Sequence, residues 1–151
     1  MLKNRKEVSL DVLMPVIREK LEAGGEVNLP ASGNSMYPLF RHRQDTVRLK
    51  KAESGSLRKY DMILYQRDNG KYILHRIIGI GEQGFVLRGD NQYQKEYPVR
   101  EEQVIARVCS FCRGEREVSC GSFFYRMYAV IRVETAPLRS VLVRVKNRLF
   151  R

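Results

Sequence analysis

The sequence predicts a mostly β domain, an antiparallel sandwich or partly open barrel, with one helix before it and a basic helical tail after it. Three observations carry this. Short β-type runs follow one another closely between residues 46 and 108, tight-turn signals separate them, and helical periodicity is confined to the two ends. A length of 151 residues with 43% apolar content suits one domain spanning 1–151, divided into an N-terminal helix over 1–25, a β domain over 27–120 and a tail over 121–151.

From Ser9 to Ala23 the apolar residues Leu10, Leu13, Met14, Ile17 and Leu21 fall on one helical face. Ser9 supplies an N-cap type, Gly24-Gly25 a stop, and Pro15 a kink or first-turn position. The texture then changes to runs at Thr46–Lys50, Met62–Gln66, Tyr72–Ile80, Gly84–Arg88 and Val104–Val108. Asp68-Asn69-Gly70 and Gly81-Glu82-Gln83-Gly84 are turn sequences that join consecutive runs as hairpins. In the tail, Phe123, Phe124, Met127, Val130 and Ile131 resume helical spacing. Pro137 interrupts, and Val141, Leu142, Val145 and Leu149 continue it, which predicts one broken helix or two short ones.

Lys and Arg number 28 against 17 Asp and Glu, a net charge of +11, and the tail holds Arg126, Arg132, Arg139, Arg144, Lys146, Arg148 and Arg151 against Glu134 alone. Such a balance asks for an anionic partner: nucleic acid, a membrane surface or an acidic protein. No base-reading motif is present, and Tyr60, Tyr65 and Tyr72 read as core and sheet residues as readily as stacking platforms, so nucleic acid is not the expected partner. No run of 18 apolar residues occurs, and charges interrupt Met1–Lys20, so neither a membrane span nor a cleavable leader is expected. Three cysteines, Cys109, Cys112 and Cys120, are too few for a disulfide framework and lack the second pair or histidine of a zinc site. The expected location is the cytoplasm, with no metal or cofactor.

Candidate chemistry centres on Ser32-Gly33-Asn34-Ser35-Met36-Tyr37-Pro38. By turn chemistry alone this is a serine-rich turn before a strand. Read for catalysis, small residues before Ser35 let the backbone turn sharply and leave N–H groups free to face an oxyanion. A serine nucleophile needs a base, and the chain offers two histidines. His42 lies between two arginines that disfavour its charged form. His75 lies inside the apolar run Tyr72–Gly79, where a strand would hold its ring on one face, although a lone strand histidine is ordinarily structural. Leu87-Arg88-Gly89-Asp90-Asn91-Gln92 then offers a carboxylate at a turn.

In this order and spacing, the stretch from Ser32 to Val108 resembles the signal peptidase I family and the self-cleaving repressor peptidases of the same clan. The resemblance implies that Ser35 is the nucleophile of an S-M-x-P box, with Met36 and Pro38 shaping the site and Ser32, Gly33 and Asn34 around the oxyanion. It implies further that Asp61 belongs to the Gly-Asp-hydrophobic box, with Tyr60 in the glycine's place. His75-Arg76 resembles the general-base box of the histidine type, and Gly89-Asp90-Asn91 the last box, with Asp90 or Glu96 as the acid behind the ring. The implied activity is acyl-enzyme cleavage of a leader-type peptide bound as an added β-strand, with small side chains beside the scissile bond.

The family's membrane anchor has no counterpart here, since Arg18, Glu19, Lys20 and Glu22 exclude the first helix from a bilayer core. A cytoplasmic endopeptidase docked on the inner membrane surface through residues 121–151 fits that departure. The alternative is a non-catalytic or self-cleaving regulator of the repressor-peptidase clan, binding nucleic acid through its basic surface. Against it, only 31 residues precede the serine box, and repressor peptidases carry lysine where this chain has His75.

Overall fold

The computed structural model describes residues 8–150; Arg151 of the basic tail and residues 1–7 lie outside them. The elements are α1 (Leu10–Glu22), β1 (Val27–Pro30), β2 (Thr46–Lys51), β3 (Met62–Gln66), β4 (Tyr72–Gly81), β5 (Gly84–Arg88), β6 (Glu96–Val99), β7 (Val104–Arg113), β8 (Arg116–Ser119), α2 (Phe123–Glu134) and α3 (Ala136–Leu149). The protein is mostly β, with three α-helices. Helix α1 begins after Ser9, whose carbonyl accepts from Val12 and Leu13 N–H, and ends where Gly24 N–H bonds Leu21 O and Gly25 N–H bonds Lys20 O. That closure needs a left-handed residue, and Gly24 supplies it at φ 81°. Pro15 lies inside the helix.

All eight strands belong to one antiparallel sheet in the order β1-β2-β7-β3-β4-β5-β6, with β8 also on β7. Of the expected sandwich or partly open barrel, the described residues show one antiparallel sheet that does not close into a barrel. Register shifts at Arg48/Leu49, Leu64/Tyr65, Ile77/Gly79 and Phe85/Leu87 explain how one sheet suffices. Such bulges bend and twist strands, so the sheet wraps apolar side chains on both faces. In β3 every residue from Met62 to Tyr65 is buried. Met62 and Leu64 join one cluster with Leu49, Val108, Ile17 and Leu21, while Ile63 and Tyr65 join another with Ile77, Phe85 and Leu87.

The tail is two helices that part at Thr135, with Pro137 in the first turn of α3, where its missing N–H costs nothing. Against the sheet, α2 buries Tyr125, Ala129 and Val133. The stripe that the sequence marks as apolar stays outside: Phe123 is 71% and Phe124 83% exposed. No helix among the described residues is long and apolar enough to cross a membrane.

Candidate active site

Ser35 sits in the turn between β1 and β2, and the residues around it explain why that turn is fixed. Met36, Leu39 and Phe40 are buried in the first cluster, and Phe40 meets Phe111 edge-on at 5.2 Å. The turn closes on Asp45, a fully buried carboxylate that accepts from Arg41 N–H, Nε and Nη2 at 2.7, 3.1 and 2.7 Å and from Gly114 N–H at 3.1 Å. The Arg41 guanidinium holds the Asp45 carboxyl below the usual carboxylate range. Gly33, at φ 76°, directs its N–H to His42 Nδ1 at 2.8 Å. His42 thus braces the serine turn from an exposed position, a role its Arg-His-Arg setting did not suggest.

Opposite stands β4. Alternation along a strand sends successive side chains to opposite faces. His75 accordingly lies with Ile77 over the second cluster, and Arg76 lies on the other face among Tyr60, Asp90 and Tyr125. The His75 ring is 2% exposed. Its Nδ1 is 3.3 Å from Tyr65 Oη and 3.6 Å from Glu96 Oε1. Arg67 holds Glu96 from the far side, with Nε 3.0 Å from Oε2 and Nη2 on Oε1. Burial alone would raise the Glu96 carboxyl, but these contacts hold it below its usual range. Burial also pushes His75 down to about 4, although Glu96 opposes the shift, so the ring is neutral at pH 7.

Nε2 faces the other way, toward Gly89. A Cβ at Gly89 would lie 3.1 Å from His75 Nε2 and 2.6 Å from Ser35 O, so glycine is what lets the serine turn and the imidazole approach. Asn91 locks that approach: its N–H donates to Ser35 O at 2.8 Å and its Nδ2 to Asn34 O at 3.2 Å. With acceptor-only Glu96 near Nδ1, the proton belongs on Nδ1 and the lone pair on Nε2.

Asp90 is not behind the ring. Its carboxylate receives Arg76 Nε and Nη2, each at 2.8 Å, and both residues are buried. Arg76 Nη1 also donates to Tyr60 O at 3.0 Å and Tyr125 Oη at 2.8 Å. This clamp ties β4, the 89–92 turn, the 58–61 turn and α2 together. Tyr60 holds φ 80°, the conformation that glycine favours, and its hydroxyl donates to Glu134 at 2.8 Å. Asp61 closes the same turn, accepting from Arg58 N–H at 3.0 Å through its side chain and from Ile77 N–H at 2.8 Å through its carbonyl.

The expected site residues thus fall in two groups: Gly89, Glu96 and the Ser35 carbonyl near the imidazole of His75, with no hydrogen bond from the Ser35 hydroxyl to that ring among the described residues, and Asp61, Arg76, Asp90 and Asn91 in the turns that hold them. Ser32 and Gly33 are exposed on the serine turn, and Pro38 is half-buried beside it. Tyr65 and Arg67 were missed by the sequence reading, yet the signal existed. The hairpin centred on Asn69 pairs Ile63 with His75 and Tyr65 with Ile73, which sets Tyr65 diagonally beside His75. Among the described residues no group of His, Cys, Asp or Glu is arranged to hold a metal. No protein-family model matches the chain, and no curated protein matches it.

Proposed function

We propose that the chain is a serine endopeptidase of signal-peptidase type, in which Ser35 attacks a peptide carbonyl and His75 takes its proton through Nε2. The observation that carries this reading is the shared contact at Gly89, with His75 Nε2 on one side and the Ser35 carbonyl on the other. Glu96, secured by Arg67, holds the Nδ1–H tautomer and stabilises the imidazolium as it forms. The oxyanion is met by backbone N–H groups of the serine turn, that of Ser35 first. The peptide adds as a strand at the edge of β1, which among the described residues pairs only with β2 and runs from Pro30 into the serine turn. Acyl transfer to Ser35 releases the amine product, and water then hydrolyses the ester with His75 again as base.

The exposed face of α2 and α3 supports docking on an anionic inner-leaflet surface. Phe124, Leu138, Leu142 and Leu149 are exposed alongside Arg144, Lys146 and Arg148, the pairing of apolar and basic groups that interfacial helices use.

The test is cleavage of a leader-type peptide library by wild type, Ser35→Ala and His75→Gln, with a fluorophosphonate probe and mass spectrometry to read acylation. Turnover and Ser35 labelling by wild type alone is the expected result. Equal turnover by Ser35→Ala removes the reading.

A further inference from the structure

The turn that carries Asn91 onto Ser35 is gripped on its outer side by arginines that have too few acids. Arg132 donates Nε and Nη2 to Asp90 O at 3.2 and 2.9 Å, and Arg139 Nη1 reaches the same carbonyl at 3.5 Å. Arg139 Nη2 bonds Arg132 O at 2.7 Å, while its Nε is buried with no hydrogen-bond partner. Arg88, 8% exposed, meets only Val133 O, at 3.5 Å, among the hydrogen bonds of the described residues. The nearby carboxylates are spoken for: Asp90 by Arg76, and Glu134 by Lys59 and Tyr60.

Burial, with repulsion from Arg132, holds Arg88 and Arg139 below the usual guanidinium range, and Asp90 offsets this only in part. A cavity of about 350 Å³ opens there, lined by Asp90, Gln92, Tyr93, Arg132, Arg139 and Leu142. Its size suits one side chain, and its walls pair guanidinium donors with an apolar floor.

We propose that Arg132 and Arg139, with Arg88 adding positive charge beside them, form an anion site that takes an acidic side chain of the bound peptide. The proposal rests on the peptidase reading for its placement on the substrate. Planar guanidinium donors match a carboxylate, and the cavity abuts the 89–92 turn, whose Asn91 N–H is bonded to the serine turn. The occupant assigned is a carboxylate of a peptide held at the serine turn, because the 89–92 turn borders both that turn and the cavity. The site would select substrates with Asp or Glu a few residues from the cleaved bond.

The test uses ¹⁵N-labelled Ser35→Ala protein, which keeps the arginines and cannot turn over. Acetyl-glutamate amide and acetyl-glutamine amide are titrated at constant ionic strength while the arginine Nε–Hε signals are followed. Saturable shifts of Arg132 and Arg139 with the glutamate probe are expected, with affinity roughly tenfold weaker for glutamine, the effect of about one charge-assisted hydrogen bond. Arg139→Gln should abolish the difference, and phosphatidylglycerol vesicles, on which the exposed face of α2 and α3 docks, should weaken all signals alike without shifting those of Arg132 and Arg139.

Equal responses to the two probes overturn the site, and shifts with vesicles alone overturn it in favour of a lipid headgroup. The Glu/Gln comparison decides even if Arg139→Gln fails to fold. Activity is not read, so the peptidase reading fails separately: glutamate binding in a protein whose wild type cleaves nothing keeps the anion site and removes its assignment to a substrate.

Discussion

Glu96 Oε1 lies 3.6 Å from Nδ1 of His75, while Arg67 holds that carboxylate from behind. The edge strand β6 thereby sets a carboxylate beside a side chain of β4. The pair is close enough for charge stabilisation and is tightened by any small shift as the ring becomes charged. In the proposed reaction Glu96→Gln should lower kcat by about 100-fold or more with KM little changed, because the acid sets the tautomer of His75 and stabilises its charge without touching the peptide. It should also move the acid limb of the pH–rate profile further down, since Glu96 is what opposes the effect of burial on His75. Steady-state kinetics across pH 4–8 reads both. An unchanged acid limb would remove Glu96 from the site.

His75 also makes stability depend on pH. Its folded pKa of about 4 lies below an unfolded value of about 6.5, so between these values the unfolded chain binds the proton and the folded one does not. Stability is therefore unaffected above the unfolded pKa and falls as pH drops from about 6.5 to about 4, by about 3 kcal/mol in all. His75→Gln should flatten that segment. Urea unfolding of both proteins at pH 7, 5.5 and 4.5 checks it, and parallel curves would contradict it.

Gly89 is the narrowest point between the two halves of the site. In Gly89→Ala the new methyl group meets Ser35 O at 2.6 Å, Gln92 Oε1 at 2.9 Å and His75 Nε2 at 3.1 Å. The loss of stability should be about 1–3 kcal/mol, as for other overpacked positions. Cleavage should fall by about 100-fold, since displacing the base by a fraction of an ångström spoils proton transfer. Thermal unfolding together with kcat/KM separates the two effects.

Arg76 and Asp90 are a scaffold pair. Asp90→Asn leaves a fully buried guanidinium without its counter-charge and should cost about 3–5 kcal/mol. Replacing both, as Arg76→Met with Asp90→Leu, should recover a large part of that loss, because two apolar groups need no partners. A double-mutant cycle by urea unfolding measures the coupling, and additive losses would show that the clamp does not act as a unit.

Sequence alone determined the elements whose signals are local. The helix between Ser9 and Gly24, the five longest strands, the Asn69 hairpin and the break before Pro137 all follow from periodicity, turn residues and caps, which act over a few positions. The short edge strands β1, β6 and β8 carry only four residues each, too few to set a period, and they form because a neighbouring strand offers them hydrogen bonds. The face by which α2 packs on the sheet was not legible for a related reason. Periodicity marks the most apolar stripe, whereas the helix buries Tyr125, Ala129 and Val133, with the Tyr125 ring edge-on to Phe111 and its hydroxyl on Arg76.

The candidate site divides in the same way. Ser35, His75 and Gly89 were legible as residue types in suggestive order. Which acid lies beside the imidazole was not, because Asp90, just after β5, and Glu96, at the start of β6, are only six residues apart and the chain passes both near β4. Strand alternation decided it: His75 and Arg76 face opposite sides of the sheet, so the face with Arg76 took Asp90 and the face with His75 received Glu96. That choice is made by the packing of strands distant in sequence, through contacts that no local pattern encodes.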